Sequence, residues 1–344
     1  MKRLSALLLF ILVYTACNSQ QTEELSYVTE KVTVYAGRFE IKADILFPQK
    51  GNNFPAVVFC TGSGPTDRKA TIKYSKVMRL LIQKGYAVLI DDKPGYGGSK
   101  GEFSGDSLFR ERSMILCKEI ETLKNHPKIN PYKIGVYGSS QAGYVMSLAL
   151  QNNKDVSFVI AWSCPAMNSI EQSAYLVNMQ ALCAGRSNAD AEMIYKYYKQ
   201  RAEARTYKEF REAADFLNRD SVILEIGWGF DMTEEVFEPK TPESESYINP
   251  VDGLGKITIP ALFIFGEKDT QIDPVQGADA FDKSLKDAGN RNYRIVTVKG
   301  VDHNMRMTRT GSLKEQKENY NKEGGAVLST DFLDAIGKWL DGRK

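Results

Sequence analysis

The spacing of apolar residues changes character along the chain. Lys31 to Tyr35 (KVTVY) and Phe39 to Phe47 (FEIKADILF) alternate apolar and polar positions on either side of Ala36-Gly37-Arg38, the pattern of an antiparallel hairpin with one buried face. Pro48 and the Gly51-Asn52-Asn53 loop end it. Short continuous apolar runs then replace the alternation: Ala56 to Cys60, Tyr86 to Ile90, Lys133 to Tyr137, Val156 to Trp162, Ala261 to Phe265 and Tyr293 to Val298. Runs that are apolar on both faces suit parallel strands covered by helices on both sides. The segments Thr71 to Lys84, Asp106 to Asn125, Gln141 to Asn152, Pro274 to Ala288 and Ser329 to Leu340 carry helical periodicity and fit the crossovers. The predicted class is α/β, with a mostly parallel central sheet flanked by helices.

One interval breaks this rhythm. About 90 residues separate the run ending near Cys164 from the one starting at Ala261, too many for a simple crossover. They include a mixed-charge helical stretch, Ala189 to Asn218, and an aromatic patch, Ile226-Gly227-Trp228-Gly229-Phe230. A helical cap over about 167–255 accounts for them. The cap tyrosines Tyr195, Tyr197 and Tyr198 then either pack cap on core or touch substrate.

The N-terminus reads as an address. Lys2 and Arg3 precede an apolar stretch from Leu4 to Tyr14 that is too short to span a bilayer. It closes on Tyr14-Thr15-Ala16-Cys17, which resembles the lipobox of bacterial lipoproteins, with Tyr14 where Leu is usual. The expectation is a signal peptide over 1–16, a lipidated Cys17, a polar tether over 17–27 and a folded domain over 28–344. An ordinary cleaved signal and an uncleaved anchor are the alternatives. The resemblance implies an exported cell-envelope protein that meets the membrane only through its lipid.

Charge and cysteine content narrow the chemistry. Removing residues 1–16 deletes Lys2 and Arg3 and no acid, which takes the net charge from +2 to zero, so nothing points to a nucleic-acid partner. Cys60, Cys117, Cys164 and Cys183 show no CxxC spacing and no neighbouring His, so no metal or redox motif is indicated.

The candidate chemistry lies in Val136-Tyr137-Gly138-Ser139-Ser140-Gln141-Ala142-Gly143, where an apolar run enters a helix. A serine on a sharp strand-to-helix turn needs small residues two before and two after it. Ser140 has them in Gly138 and Ala142, whereas Ser139 would put Tyr137 and Gln141 in the crowded places. A tight joint of no catalytic consequence has the same signature.

A serine hydroxyl needs a base to take its proton, and the chain has two histidines. His126, in Asn125-His126-Pro127 at a predicted helix end, reads as exposed helix termination. His303 follows the last apolar run in Gly300-Val301-Asp302-His303 and is the candidate base. The loop after Ala261 to Phe265 offers Asp269 as the acid, with Glu267 and Asp273 as competitors. Asp302, adjacent to His303, reads as a loop-ordering group. The order Ser140, Asp269, His303 is that of the α/β-hydrolases.

Two further motifs carry the resemblance to that family. Gly62-Ser63-Gly64-Pro65-Thr66-Asp67-Arg68 is similar to the GSGPxDR signature of bacterial esterase-like members grouped with serine aminopeptidase-type hydrolases, with Thr61 where many relatives have His. Asp91-Asp92-Lys93-Pro94-Gly95-Tyr96-Gly97-Gly98-Ser99 resembles the family's structural D-x-R-G-x-G-x-S loop. The resemblance implies an α/β-hydrolase fold and an oxyanion hole formed by the backbone N–H groups of Ser63 and Gln141.

The implied activity is cleavage of carboxylic esters through an acyl-enzyme, with no metal or organic cofactor and a small acyl ester or short peptide as substrate. A serine exopeptidase is the first alternative, and an acidic cluster drawn from Glu225, Asp231, Glu234 and Glu235 would favour it by holding a free amino terminus. A catalytically silent binding lipoprotein is the second. Trp228 and Phe230, with Trp162, are candidates for an apolar acyl pocket, or else for cap packing.

Overall fold

The computed structural model describes residues 26–102, 108–227, 229–320 and 327–343. The expected signal peptide, the lipidation site Cys17, most of the tether and Trp228 lie outside the described residues.

The alternating segments form strands β1 (Tyr27–Ala36) and β2 (Phe39–Pro48), paired antiparallel in one continuous register from Tyr27 with Pro48 to Ala36 with Phe39. The first described strand begins at Tyr27, the last residue of the expected tether. The continuous runs become β3 (Phe54–Cys60), β4 (Ala87–Asp91), β5 (Ile129–Ser139), β6 (Phe158–Trp162), β7 (Ala261–Gly266) and β8 (Tyr293–Val298). They assemble as one eight-stranded sheet in the order β1-β2-β4-β3-β5-β6-β7-β8. β2 meets β4 antiparallel, and every pair from β4 to β8 is parallel.

The helices are α1 (Arg68–Tyr74), α2 (Lys76–Gln83), α3 (Leu108–Lys124), α4 (Ala142–Asn152), α5 (Ser169–Cys183), α6 (Asn188–Glu203), α7 (Tyr207–Asn218), α8 (Ser221–Glu225), α9 (Val251–Leu254), α10 (Pro274–Asp287), α11 (Leu313–Tyr320) and α12 (Thr330–Asp341). On one face of the sheet Ile45, Val58, Leu89, Val136 and Phe263 pack against α3, α4 and α10. On the other, Leu46, Val57, Val88, Ile160 and Leu262 pack against α2 and α12. Burial of both faces explains why the parallel strands lack alternation.

Two predicted helices are each broken in two. Ser75 adopts an extended backbone between α1 and α2, and its Oγ accepts from Met78 N at 3.1 Å, so a hydroxyl that competes as a cap ends one helix and starts the next. The stretch from Ala189 to Asn218 splits ahead of Thr206, where Thr206 and Glu209 form a reciprocal capping box for α7. His126 is not exposed: its side chain is 9% accessible, its Nε2 lies 3.0 Å from Glu30, and its ring lies against Phe47. The β1 strand brings Glu30 to it.

The long interval between β6 and β7 holds α5 to α9. Leu176, Val177, Ile194, Leu217 and Ile223 give this cap a small core of its own. Its return segment is anchored by Glu245, which is 6% exposed and accepts from the first turn of α3, Phe109 N at 2.6 Å and Arg110 N at 2.7 Å. A carboxylate there satisfies orphan helix donors and complements the helix dipole. Glu245→Ala should lower the unfolding free energy by about 1–3 kcal/mol, the cost of leaving buried donors unpaired. Urea denaturation midpoints of the two proteins measure it, and an unchanged midpoint would remove Glu245 as the anchor.

Candidate active site

Three loops at the carboxyl ends of parallel strands β5, β7 and β8 meet above the sheet. The first joins β5 to α4 and holds Ser140 at a φ of 53°, a left-handed conformation that costs a non-glycine residue about 1–3 kcal/mol. The surroundings impose it. Ser140 N donates to Trp162 O at 3.2 Å, and Gly143 N donates to Ser140 O at 2.8 Å as the helix begins. A Cβ on Gly138 would lie 2.6 Å from both Sδ and Cε of Met146, and one on Gly62 would lie 3.3 Å from Ser139 O and from the Ser140 Cβ. The turn closes because these positions lack side chains, and it leaves the Ser140 Oγ facing outward.

The second loop follows β7. Asp269 is 2% exposed, and its Oδ1 accepts from Gln271 N at 2.8 Å and Ile272 N at 2.9 Å. Its Oδ2 is thereby aimed at His303 Nδ1, 2.8 Å away. The competing acids are occupied elsewhere: Glu267 accepts from Gly300 N, and Asp273 caps α10. The third loop follows β8. Asp302 orders it by accepting from Asn304 N and Arg306 N, and the His303 carbonyl accepts from Ser163 Oγ at 2.9 Å.

His303 Nε2 then sits 3.0 Å from Ser140 Oγ. With Nδ1–H donated to the carboxylate, Nε2 carries the lone pair that faces the hydroxyl, as assigned from the hydrogen-bond network. Burial by itself pushes the imidazole pKa down, but the charge and hydrogen bond of Asp269, with Asp302 nearby, outweigh it and hold His303 above its ordinary value. The arrangement can withdraw a proton from Ser140 and stabilise the resulting imidazolium.

Gln141 opens α4 and Ser63 follows Gly62 across the cleft. Neither backbone amide donates to a protein acceptor among the described residues. The Gln141 side chain is turned away, its Oε1 accepting from Arg112 Nη1 at 2.8 Å. Asp67 caps α1 through Ala70 N at 2.7 Å, while Arg68 ion-pairs with Asp92 and Asp44. These contacts tie the two glycine-rich motifs together.

The cap contributes to the acid loop in a way that sequence spacing does not foreshadow. From α5, Gln172 Nε2 donates to Gln271 O at 2.9 Å, Tyr175 OH to Asp269 O at 3.3 Å, and Gln180 Nε2 to Thr270 Oγ1 at 3.0 Å. Gln172, Tyr175 and Gln180 are ordinary polar residues of a helix in sequence, and no motif marks them. Most of the other candidates are packed or paired. Tyr197 stacks on Phe216 with centroids 3.8 Å apart, Tyr198 meets Phe230 edge-on, and Trp162 lies against Phe332. Glu225 pairs with Lys314 at 2.7 Å, Asp231 accepts from Thr233 N, and Glu234 and Glu235 are exposed. Cys60 and Cys164 are buried and unpaired, with burial pushing the Cys60 thiol up to about 11.

The sequence profile of the X-Pro dipeptidyl-peptidase (S15) family matches residues 37–290. The chain belongs to that family. No curated protein matches it. Among solved structures, an esterase of Pyrococcus furiosus superposes with a TM-score of 0.54 at 18% identity, covering 92% of this chain and 93% of the esterase. Dipeptidyl peptidase 4 of Porphyromonas gingivalis gives a TM-score of 0.52 at 16% identity, over 92% of this chain and 35% of the peptidase. The chain thus spans about a third of that longer protein. At these identities the likeness speaks for the fold, which is that of the α/β-hydrolases. Family and fold together make this S15 member a serine hydrolase.

Only a neutral imidazole accepts a proton, and His303 is held above the ordinary histidine value of 6.5. The acid limb of kcat/KM should therefore lie above that value, activity being lost as the pH falls through it. Asp269→Asn removes the charge that raises it, so the limb should move to lower pH while kcat drops by about 10⁴-fold, as for a triad acid. Rate profiles on a fluorogenic substrate test both, and an unmoved limb would mean that Asp269 does not set the His303 pKa.

Proposed function

We propose that this protein cleaves carboxylic esters by acyl transfer through Ser140, His303 and Asp269. The observation that carries the reading is the continuous relay from Asp269 Oδ2 to His303 at 2.8 Å and on to Ser140 Oγ at 3.0 Å. His303 takes the hydroxyl proton as Ser140 Oγ attacks the carbonyl carbon. The Ser63 and Gln141 amides receive the oxyanion, where preorganised donors in a partly dry site stabilise developing charge. Collapse of the tetrahedral intermediate passes the proton from His303 to the leaving alcohol. A water, activated in the same way, then releases the acid and restores Ser140.

The family's description favours a second reading, removal of short peptides from a chain terminus. That chemistry uses the same relay with an amine as leaving group, and it calls for an acidic group to hold a free amino terminus. The cap acids are engaged or solvated elsewhere, Glu225 with Lys314 and Asp231 with its own turn, which is why the ester reading leads. A purely binding role has no physical need for all three relay groups. The N-terminal pattern supports export and lipidation at Cys17, which would display the enzyme on the cell envelope.

Initial rates of the full chain on acyl esters, amino-acid esters and short peptide amides, beside Ser140→Ala, separate these readings. Ester turnover that falls by more than about 10³-fold in the mutant, with amides untouched, is the expected result. Amide turnover comparable to ester turnover would transfer the assignment to the peptidase. Turnover indifferent to Ser140 would sink both.

A further inference from the structure

Two buried basic side chains lie beneath the loop that carries Ser63. Lys93 is 3% exposed and Arg112 is 7% exposed. Among the described residues neither forms a salt bridge. Most of their donors go to main-chain carbonyls instead, with Cys60 Sγ and Gln141 Oε1 as the side-chain acceptors of Arg112. Lys93 Nζ donates to Gly62 O at 2.6 Å and to Gly64 O at 2.7 Å. Arg112 Nη2 donates to Thr61 O, while Nη1 reaches Gln141 Oε1 at 2.8 Å and Gly62 O at 3.4 Å.

Resting on the hydrolase reading above, we propose that Lys93 and Arg112 are positioning residues that aim the two halves of the oxyanion hole. The reason is peptide geometry. The Gly62 carbonyl and the Ser63 N–H belong to one planar trans peptide, so they point in opposite directions. Two cations that draw the Gly62 oxygen down toward the core therefore turn the Ser63 N–H up toward the cleft. Holding the Thr61 and Gly64 carbonyls leaves the loop no way to swivel that plane. On the far side, the same guanidinium that grips Thr61 and Gly62 also grips Gln141, whose own N–H is the second donor. One fork thus spans both halves and sets their separation, a task suited to the rigid geometry of Arg.

Burying two basic side chains is expensive, and the neighbouring carboxyls counter the cost only in part. Asp91 and Glu119 lie close by in the core, with burial pushing both carboxyls up. A cavity of about 20 Å³ lined by Cys60, Thr61, Asp91, Lys93, Arg112 and Glu119, among others, separates the groups. That is room for a single water, and Thr61 Oγ1 and Glu119 Oε1 have no protein partner there. Burial and the Arg112 charge push Lys93 down to about 7, partly countered by Asp91.

The test uses the full chain carrying Lys93→Met, Arg112→Met, Arg112→Lys or Gln141→Ala, the last removing one grip while leaving both basic side chains in place. Each variant is measured for kcat and KM on the best ester, and for affinity toward an alkyl boronic acid, which forms a tetrahedral anion on Ser140, against the product carboxylate. Either Met variant should lower kcat by about 10²-fold, the usual effect of losing an oxyanion donor, with KM within about threefold. Boronate affinity should fall in parallel while product affinity holds, since only the tetrahedral state uses the aimed amides. Arg112→Lys should remain impaired, because a point charge does not replace the fork. Should the Met variants fail to fold, Gln141→Ala carries the decision, with a several-fold loss in kcat and in boronate affinity expected.

Folded variants with wild-type kcat, or losses in which boronate and product affinities fall equally, would overturn the positioning role. A wild-type protein whose Ser140 reacts with neither esters, amides nor a fluorophosphonate would instead overturn the hydrolase reading, and the inference with it. Labelling of wild type and Lys93→Met at equal rates would discard the inference and keep the hydrolase.

Discussion

Every functional distance in this protein depends on one backbone constraint, the left-handed turn that holds Ser140 between β5 and α4. That turn exists only because the chain is small where it is crowded. Met146 and Ala142 press on Gly138, and Cys164 and Pro165 press on Gly143. Gly62 lies against the serine itself. Strain of this kind persists where the surroundings over-determine it, and here the sheet does so through the bond from Ser140 N to Trp162 O on the neighbouring strand. The hydroxyl is thus fixed by the sheet, and the other loops have a stationary point to converge on.

Around that point the molecule separates charge by depth. Asp269, fully engaged by two amides and an imidazole, holds His303 above its ordinary value and lies on the wall facing the cap. Lys93 and Arg112 lie under the opposite loop, where the developing oxyanion would sit. A negative group behind the base and basic groups behind the proposed oxyanion donors would give a field along the direction in which charge moves during acyl transfer. The cap adds rigidity to this polarity, since α5 ties down the acid loop through Gln172, Tyr175 and Gln180. The geometry of the acid is therefore mechanically tied to that helix.

The family match and the solved relatives leave ester and peptide chemistry side by side. That is expected physically, because a serine hydrolase acts on a carbonyl carbon whichever group leaves. Discrimination between substrates belongs to the surfaces that hold the rest of the molecule, and fold alone does not assign them.

The sequence by itself determined the sheet, the sites of the three loops and the identity of Ser140, Asp269 and His303 as the residues that meet. Strands buried on both faces advertise themselves as continuous apolar runs, and a strained serine turn demands small neighbours at fixed local offsets, so both leave a mark within a few residues. Even the split helices carried their signals in Ser75 and in the Thr206 to Glu209 box, local capping patterns that periodicity alone overrides. What only the tertiary structure decided depends on partners far apart in the chain. His126 is covered because Glu30 reaches it from β1, and Glu225 of the cap is paired by Lys314, distant in sequence. Arg112 is an unremarkable helical residue in sequence, and it acquires its place only when α3 packs beneath a loop some 50 residues earlier. Hydrogen bonds to main-chain carbonyls impose no residue pattern on the acceptor, so contacts of this kind leave no trace in a sequence.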